Sequence, residues 1–326
     1  MKIFITGGTG FIGTELLKRL KQTSHEILGF ARSARSVDAL QVQGIKVVRG
    51  DVADKASMLS GMRECDWVVN LANFYEFWNR DTRTYDSVNV EGTKNVLDAA
   101  REAGAAKIIH VSSVVVYGNA SWPITETTPF GNRTPGHYAR TKRAGEIIAQ
   151  EYRTKFNLPV VIVSPAGVMG PNDPKATGRY VRSLVQGKMP AQVLTNCTFP
   201  FVHVRDVAEA IVKALEKGKN EGEKYLVAAE NLTFGEINLM ISQIAGIRLP
   251  LLTLPTPLVL AGSYGATFLA NLTGKPPMLD MSVEQISMMR QGMEVDGSKA
   301  MRELGISYTP IRTALEEMIS SLRPDR

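Results

Sequence analysis

Along the first half of the chain, short runs of consecutive apolar residues alternate with longer stretches in which apolar residues recur every three or four positions. The runs Lys2–Thr6, Glu26–Ala31, Ile45–Arg49, Trp67–Leu71, Lys107–Ser112 and Pro159–Ser164 are nearly continuous. Strands covered on both faces read this way. Between them, Phe11–Lys21, Ser36–Gln43, Lys55–Met62, Thr84–Ala103 and His137–Phe156 carry the helical period. A strand–helix–strand rhythm from the first residues predicts an α/β protein with a doubly wound parallel sheet of Rossmann type.

After Ser164 the rhythm breaks into loop-rich, proline-punctuated sequence. Residues 1–164 plus 205–222, the latter with a helix over Arg205–Lys217, are expected to form a dinucleotide-binding domain. Residues 165–204 plus 223–326 are expected to form a smaller substrate-binding lobe over the carboxyl ends of the strands. One stretch stands apart: Leu249 to Thr273 contains no charged residue. It is long enough to cross a bilayer, but Pro250, Pro255 and Pro257 and two internal glycines interrupt it. It is expected to be an apolar lid or core helix, or a patch that touches a membrane surface, rather than an integral span.

Composition excludes more than it assigns. The chain has 326 residues, 44% hydrophobic and 21% charged, which describes a globular protein with a core rather than a disordered one. Net charge is +6 with the basic residues scattered, so no nucleic-acid partner is expected. Cys65 and Cys197 match no metal or redox spacing, and no metal is expected. The start, MKIFITGGTG, reads as a strand and not as a signal peptide, which makes a cytoplasmic location the expectation.

The segment Thr6-Gly7-Gly8-Thr9-Gly10-Phe11-Ile12-Gly13 follows a strand and opens a helix. Gly8-x-Gly10-x-x-Gly13 in that context is the dinucleotide fingerprint: glycines permit the tight turn, the approach of backbone to a pyrophosphate and close helix–strand packing. Gly7, Gly10, Phe11, Ile12 and Gly13 are the expected contacts, with phosphate oxygens meeting free N–H groups at the helix start. An enzyme selecting NAD places a carboxylate at the end of the second strand. Here Arg32 and Ser33 stand there, with Arg35 close behind, and a guanidinium can clamp a 2′-phosphate. NADP(H) is therefore the expected cofactor; NAD(H) is possible if Arg32 only stacks on adenine.

Tyr138 and Lys142 are spaced i, i+4, which puts phenol and ammonium on one helical face. A neighbouring cation lowers a phenol pKa towards useful acid–base chemistry. Ser112 and Ser113 close the fifth strand at the end of the sheet where a cofactor would lie. Ser113 is assigned to orient a substrate oxygen, Ser112 being the alternative. The aromatic residues Phe74, Phe77 and Trp78 after the fourth strand, with Tyr117 and Phe201, are expected to line an apolar substrate pocket. His203 is open between substrate contact and core. His110 and His137 read as structural, Glu146 as an ion-pair partner four residues after Lys142, and Asp206 as a helix-start carboxylate.

The motifs TGGTGFIG, Asp51-Val52, VNVEGTKNVLDAA, VSSVVVYG, YARTK and VHVRDVAEA, in this order over nearly the whole chain, resemble the extended short-chain dehydrogenase/reductase superfamily in its NAD-dependent epimerase/dehydratase branch. LANFYEFWNRD and the stretch from LTGKPPMLD to MRELG are similar to the dihydroflavonol-4-reductase-like group, which includes relatives of 3β-hydroxysteroid dehydrogenase and the hopanoid-associated enzymes labelled sugar epimerases. The resemblance implies that Asp51 and Val52 flank an adenine, Leu71 and Ala72 a ribose and pyrophosphate, and Pro165 and Val168 a nicotinamide. It also implies that Asn89 lies near the site, and that a homodimer forms through Thr84–Ala103 and His137–Phe156. Two departures bear on the substrate. Gly167 stands where sugar-nucleotide enzymes carry Asn, and Val114 and Val115 stand where dehydratases carry Asp-Glu.

The expected protein is thus a reductase or dehydrogenase acting on a bulky, hydrophobic small molecule, with Ser113, Tyr138 and Lys142 as its catalytic set. The alternatives are an epimerase with internal redox, and a binding protein that senses the cofactor.

Overall fold

The computed structural model describes residues 1–322. Twelve strands follow in chain order: β1 (Lys2–Thr6), β2 (Glu26–Ala31), β3 (Lys46–Arg49), β4 (Trp67–Asn70), β5 (Lys107–Val111), β6 (Val160–Pro165), β7 (Gly167–Met169), β8 (Gln192–Val193), β9 (Thr198–His203), β10 (Lys224–Val227), β11 (Glu230–Thr233) and β12 (Thr253–Leu254). The helices of the first half are α1 (Phe11–Leu20), α2 (Ala34–Gln41), α3 (Lys55–Met62), α4 (Arg83–Asp86), α5 (Gly92–Ala103) and α6 (Gly136–Phe156). Those of the second are α7 (Ala176–Val185), α8 (Val204–Glu216), α9 (Phe234–Ala245), α10 (Thr256–Thr273), α11 (Val283–Gln291), α12 (Ser298–Leu304) and α13 (Ile311–Leu322).

Seven strands form one sheet in the order β3-β2-β1-β4-β5-β6-β10, and every neighbouring pair is parallel. Alternation along β1 shows why both faces must be covered. Ile3 and Ile5 join one core with Leu16 and Leu17 of α1 and Val207 and Ile211 of α8. Phe4 joins the other, with Met58 and Met62 of α3 and Val96 and Leu97 of α5. The chain reverses its direction of travel across the sheet between β1 and β4. That is the switch point at which such sheets open a crevice beyond the carboxyl ends of their strands.

Two small sheets stand over that end: β7-β9-β11, and the parallel pair β8-β12. Lys224–Val227, expected in the smaller lobe, is instead β10 and pairs with β6 at the edge of the main sheet. Its run is only four residues long and follows a turn, so nothing local marks it as a strand of the larger sheet. The helix expected over Thr84–Ala103 contains a π-helical turn at Ser87–Glu91 between α4 and α5. The uncharged stretch becomes the short strand β12 followed by α10. Only Val259, Ser263 and Ala270 of α10 are buried, so it is not a core helix. Among the described residues no helix is long and apolar enough to cross a membrane.

Candidate active site

The glycine-rich turn shapes the first wall of a cavity of about 510 Å³ beyond the switch point. Gly7 has φ of +71°, and a Cβ there would lie 2.7 Å from the carbonyl carbon of Leu71. A Cβ on Gly13 would fall 2.3 Å from the Gly7 oxygen, so helix and turn pack as closely as two backbones allow. α1 begins at Phe11, and the first N–H groups of a helix have no partner within it. Phe11, Ile12 and Gly13 all border the cavity, which leaves a concave backbone cradle suited to a pyrophosphate. These residues fit the dinucleotide that the motif implies.

Around this cradle the cavity is bordered by Arg32, Asp51, Val52, Leu71 and Ala72 at one end and by Ser113, Tyr138, Pro165 and Val168 at its middle. Arg32 is exposed and reaches Asp51 at 3.4 Å; no carboxylate stands at the carboxyl end of β2, but this one from the turn after β3 lies nearby. Ser33 and Ser36 border the same end; the Ser36 N–H donates to the Ser33 hydroxyl at the start of α2. Ser33 stands beside Arg32 at the end of the second strand as the sequence places it, whereas no sequence motif marked Ser36.

Tyr138 lies in the first turn of α6. Its ring packs on Tyr75, centroids 4.8 Å apart, and edge-on to Phe77 at 5.9 Å. Burial holds the phenol pKa well above its usual range, outweighing the lowering effect of the neighbouring Ser113 hydroxyl. The lowered Tyr138 pKa expected from Lys142 is therefore absent from this arrangement. Lys142 is buried one turn along α6 and donates to the Val111 carbonyl at 2.8 Å, behind the cavity wall. Burial brings its pKa down to about 8, partly opposed by Glu146. His110, beside Asn70 on the adjoining strand, is lowered to about 3 by burial and then by Lys142, so it stays neutral.

Glu146 does not pair with Lys142. Its fully buried carboxylate accepts from Ser112 Oγ at 2.5 Å and from Lys224 Nζ at 2.5 Å, tying α6 to β5 and to the edge strand. Ser112 borders the cavity, but its hydroxyl is committed to Glu146, which leaves Ser113 as the serine that faces Tyr138. A helix-spacing rule sees Lys142 and Glu146 as neighbours but has no view of β10. From the far lobe, Glu284 Oε2 accepts from the His137 N–H at 2.9 Å and so seats the first turn of α6.

Asn89 is buried in the π-helical turn and lies outside the cavity lining. Its Oδ1 accepts from the Phe74 N–H at 2.6 Å, and its Nδ2 donates to the Phe74 carbonyl and to Thr141 Oγ1. It clamps the aromatic loop to α6; the extra residue of the π turn is where such a side chain is turned inward. Phe74, Phe77 and Phe201 border the cavity. Trp78, Tyr117 and His203 do not. Trp78 Nε1 donates to Asn271 Oδ1 at 2.9 Å on the outer surface. Tyr117 is fully buried, with Lys224 over its ring. His203 is fully buried; Nδ1 accepts from the Arg205 N–H and Nε2 lies 3.1 Å from Glu317. Each is an aromatic in the right stretch of sequence whose direction only the packing decides. The apolar far end of the cavity is completed by Tyr180, Phe199, Phe234, Ile237, Met288 and Met289. Apart from Phe199, these come from α7, α9 and α11, where a bordering side chain looks like any core residue.

A family model described as the NAD dependent epimerase/dehydratase family matches residues 3–228. The chain belongs to that family. Among the relatives of this epimerase/dehydratase-family enzyme, a Synechocystis protein named "Putative dihydroflavonol 4-reductase" is 30% identical, covering 97% of this chain and 93% of that protein. The "Sterol demethylase protein B" of Methylococcus capsulatus is 29% identical, covering 99% and 98%. A crystal structure titled gox2253 is 32% identical with a TM-score of 0.84, covering 98% of this chain and 97% of the other. The UDP-glucuronic acid 4-epimerase of Bacillus cereus, in complex with UDP-glucuronic acid and NAD, shares the fold at a TM-score of 0.79 and 24% identity, covering 99% of both chains.

Proposed function

We propose that this family member is an NADP(H)-dependent reductase or dehydrogenase that interconverts a carbonyl and a hydroxyl on a bulky, apolar small molecule. The observation that carries the reading is that Ser113 and the Tyr138 phenol stand side by side in the one cavity that the glycine cradle and the apolar residues also line. The nicotinamide cofactor, when bound, supplies or accepts the hydride at the substrate carbon. Ser113 orients the substrate oxygen, and Tyr138 gives or takes its proton. A phenol held above its usual pKa is protonated at neutral pH, which suits donation during reduction. Lys142 supports Tyr138 and the ribose from behind the wall. Arg32, with Ser33 and Ser36, holds the 2′-phosphate.

The apolar lining supports a hydrophobic substrate over a sugar nucleotide, as do relatives named 2-alkyl-3-oxoalkanoate reductase and 3-beta-hydroxysteroid dehydrogenase. A homodimer through α5 and α6 belongs to the same reading, supported by Ile147 and Phe156, which α6 leaves exposed.

The test follows nicotinamide absorbance with NADPH and NADH against aliphatic, aromatic and steroid-like ketones. NADPH oxidation should appear with apolar ketones and fall by about 10²–10⁴-fold in Tyr138→Phe. Near-full turnover in that variant would overturn the catalytic assignment. Silence with every ketone, in a protein that NADPH still protects against heat, would return the site to internal-redox epimerisation or to sensing.

A further inference from the structure

Eight of the fifteen large apolar side chains that are exposed among the described residues fall between Leu251 and Met278. Within α10 they share one side. At about 100° per residue, Leu258, Tyr264, Phe268, Leu269 and Leu272 occupy an arc of roughly 160° with Ala261, Gly262 and Gly265. Val259, Ser263 and Ala270, the buried residues, point the opposite way. Phe268 is 63% exposed and Leu272 66%, and Leu251 just before the helix is fully exposed. A continuous apolar patch of this kind on a folded protein marks an interaction surface.

Charge indicates what covers it. Residues 237–279 contain no Asp or Glu, and neither do residues 174–205, which supply β8, the partner of β12 beside the helix. The exposed cations Arg80, Lys188, Arg248 and Lys275 make no ion pair among the described residues. Arg80 lies against Gly274, at the C-terminal end of α10. The one carboxylate beside it, Asp81, is held by Arg83. A second copy is a poor occupant, because a two-fold interface sets a surface against itself and would crowd these cations with no acid to meet them. An apolar face with a cationic rim, whose neighbouring carboxylate Asp81 is already paired, is complementary to an anionic lipid surface, where each basic residue adds attraction.

We propose that the outer face of α10, with Leu251 and Leu252, docks this enzyme on the surface of an anionic lipid bilayer. The helix lies along the surface and does not span it. It packs on α11, whose Met288 and Met289 border the apolar end of the cavity, so docking sets that end towards the membrane. The delivery of a lipid-resident substrate rests on the reductase reading; the docking itself does not.

Co-sedimentation with vesicles of phosphatidylcholine and phosphatidylglycerol in a 7:3 ratio tests it without substrate or turnover. The wild-type protein should pellet with these vesicles, bind pure phosphatidylcholine at least about tenfold more weakly, and be released by high salt. Phe268→Ser with Leu272→Ser should reduce partitioning roughly 100-fold while leaving the melting temperature and NADPH protection unchanged, since both side chains are exposed. Arg248→Gln with Lys275→Gln should remove most of the preference for anionic vesicles. A wild-type protein that stays in the supernatant with both vesicles overturns the proposal. So does equal binding to both. So does a dimer by sedimentation velocity that the Phe268/Leu272 variant converts to monomer, which would make the face an interface between copies.

Discussion

At the Gly7–Gly13 end of the cavity the wall is backbone, formed within seven consecutive residues; at the Phe234–Met289 end it is side chains brought from three helices more than a hundred residues away. The first end tolerates almost no change, because a Cβ on Gly13 would overlap a peptide group that cannot move without shifting β1. The second is made of flexible and aromatic apolar groups whose volume can be exchanged in small steps. Phosphate chemistry is shared by all ligands of one cofactor class and calls for fixed N–H groups. A hydrophobic substrate is recognised by shape, and shape is set by whichever side chains fill the space.

The sharpest way to break this contrast is at the rigid end. Gly13→Val should weaken NADPH binding by up to about 150-fold, the upper end of the 1–3 kcal/mol typical of overpacking; thermal protection by NADPH measures it. Retained protection would mean that the turn is not a phosphate cradle.

Arg32→Ala probes the polar rim of the same end. NADPH affinity should fall roughly tenfold to a hundredfold, the value of one or two hydrogen bonds to a charged group, while NADH changes little. Fluorescence titration of both cofactors reads the difference, and equal losses for the two would remove the 2′-phosphate role.

Between the two ends sits Lys142, whose ammonium is lost as pH rises through about 8. Ketone reduction should decline about tenfold per pH unit above that point, and Lys142→Arg should shift the decline upwards. Unfolding would not explain this limb. The folded-state pKa is depressed, so between about 8 and 10.5 the unfolded chain binds more protons at this site. Stability from this group therefore rises with pH across that window. A pH–rate profile alongside melting temperatures separates the two.

The smallest effect belongs to the adaptable end. Phe234→Leu should raise KM for a bulky ketone by about threefold to tenfold and leave a small ketone unchanged. An equal change for both would place Phe234 in the core and not against substrate.

Much of the protein is legible in its sequence. The six strands of the first half and their helices follow from continuous apolar runs and the 3.6 period between them, because a parallel sheet covered on both faces forces both patterns. The glycine turn was legible for the same local reason: its strand, turn and helix are contiguous. Ser113, Tyr138 and Val168 also reach the cavity as expected. What failed was direction. Trp78 and Tyr117 are aromatic residues near the site in sequence, yet they face the surface and the core, and His203, open between substrate and core, is buried at a helix start. Glu146 was paired by spacing with Lys142 and by packing with Lys224.

By itself, then, the order of residues determined the doubly wound sheet, the switch-point crevice and the turn that opens it, since each follows from local patterns repeated along the chain and the few ways strand–helix–strand units can pack. Tertiary structure alone decided that β10 closes the main sheet, that Asn89 holds the aromatic loop, and that α10 leaves its apolar face uncovered. Those outcomes depend on which distant surfaces meet, and a side chain's period along its own helix carries no record of what the opposite face will find.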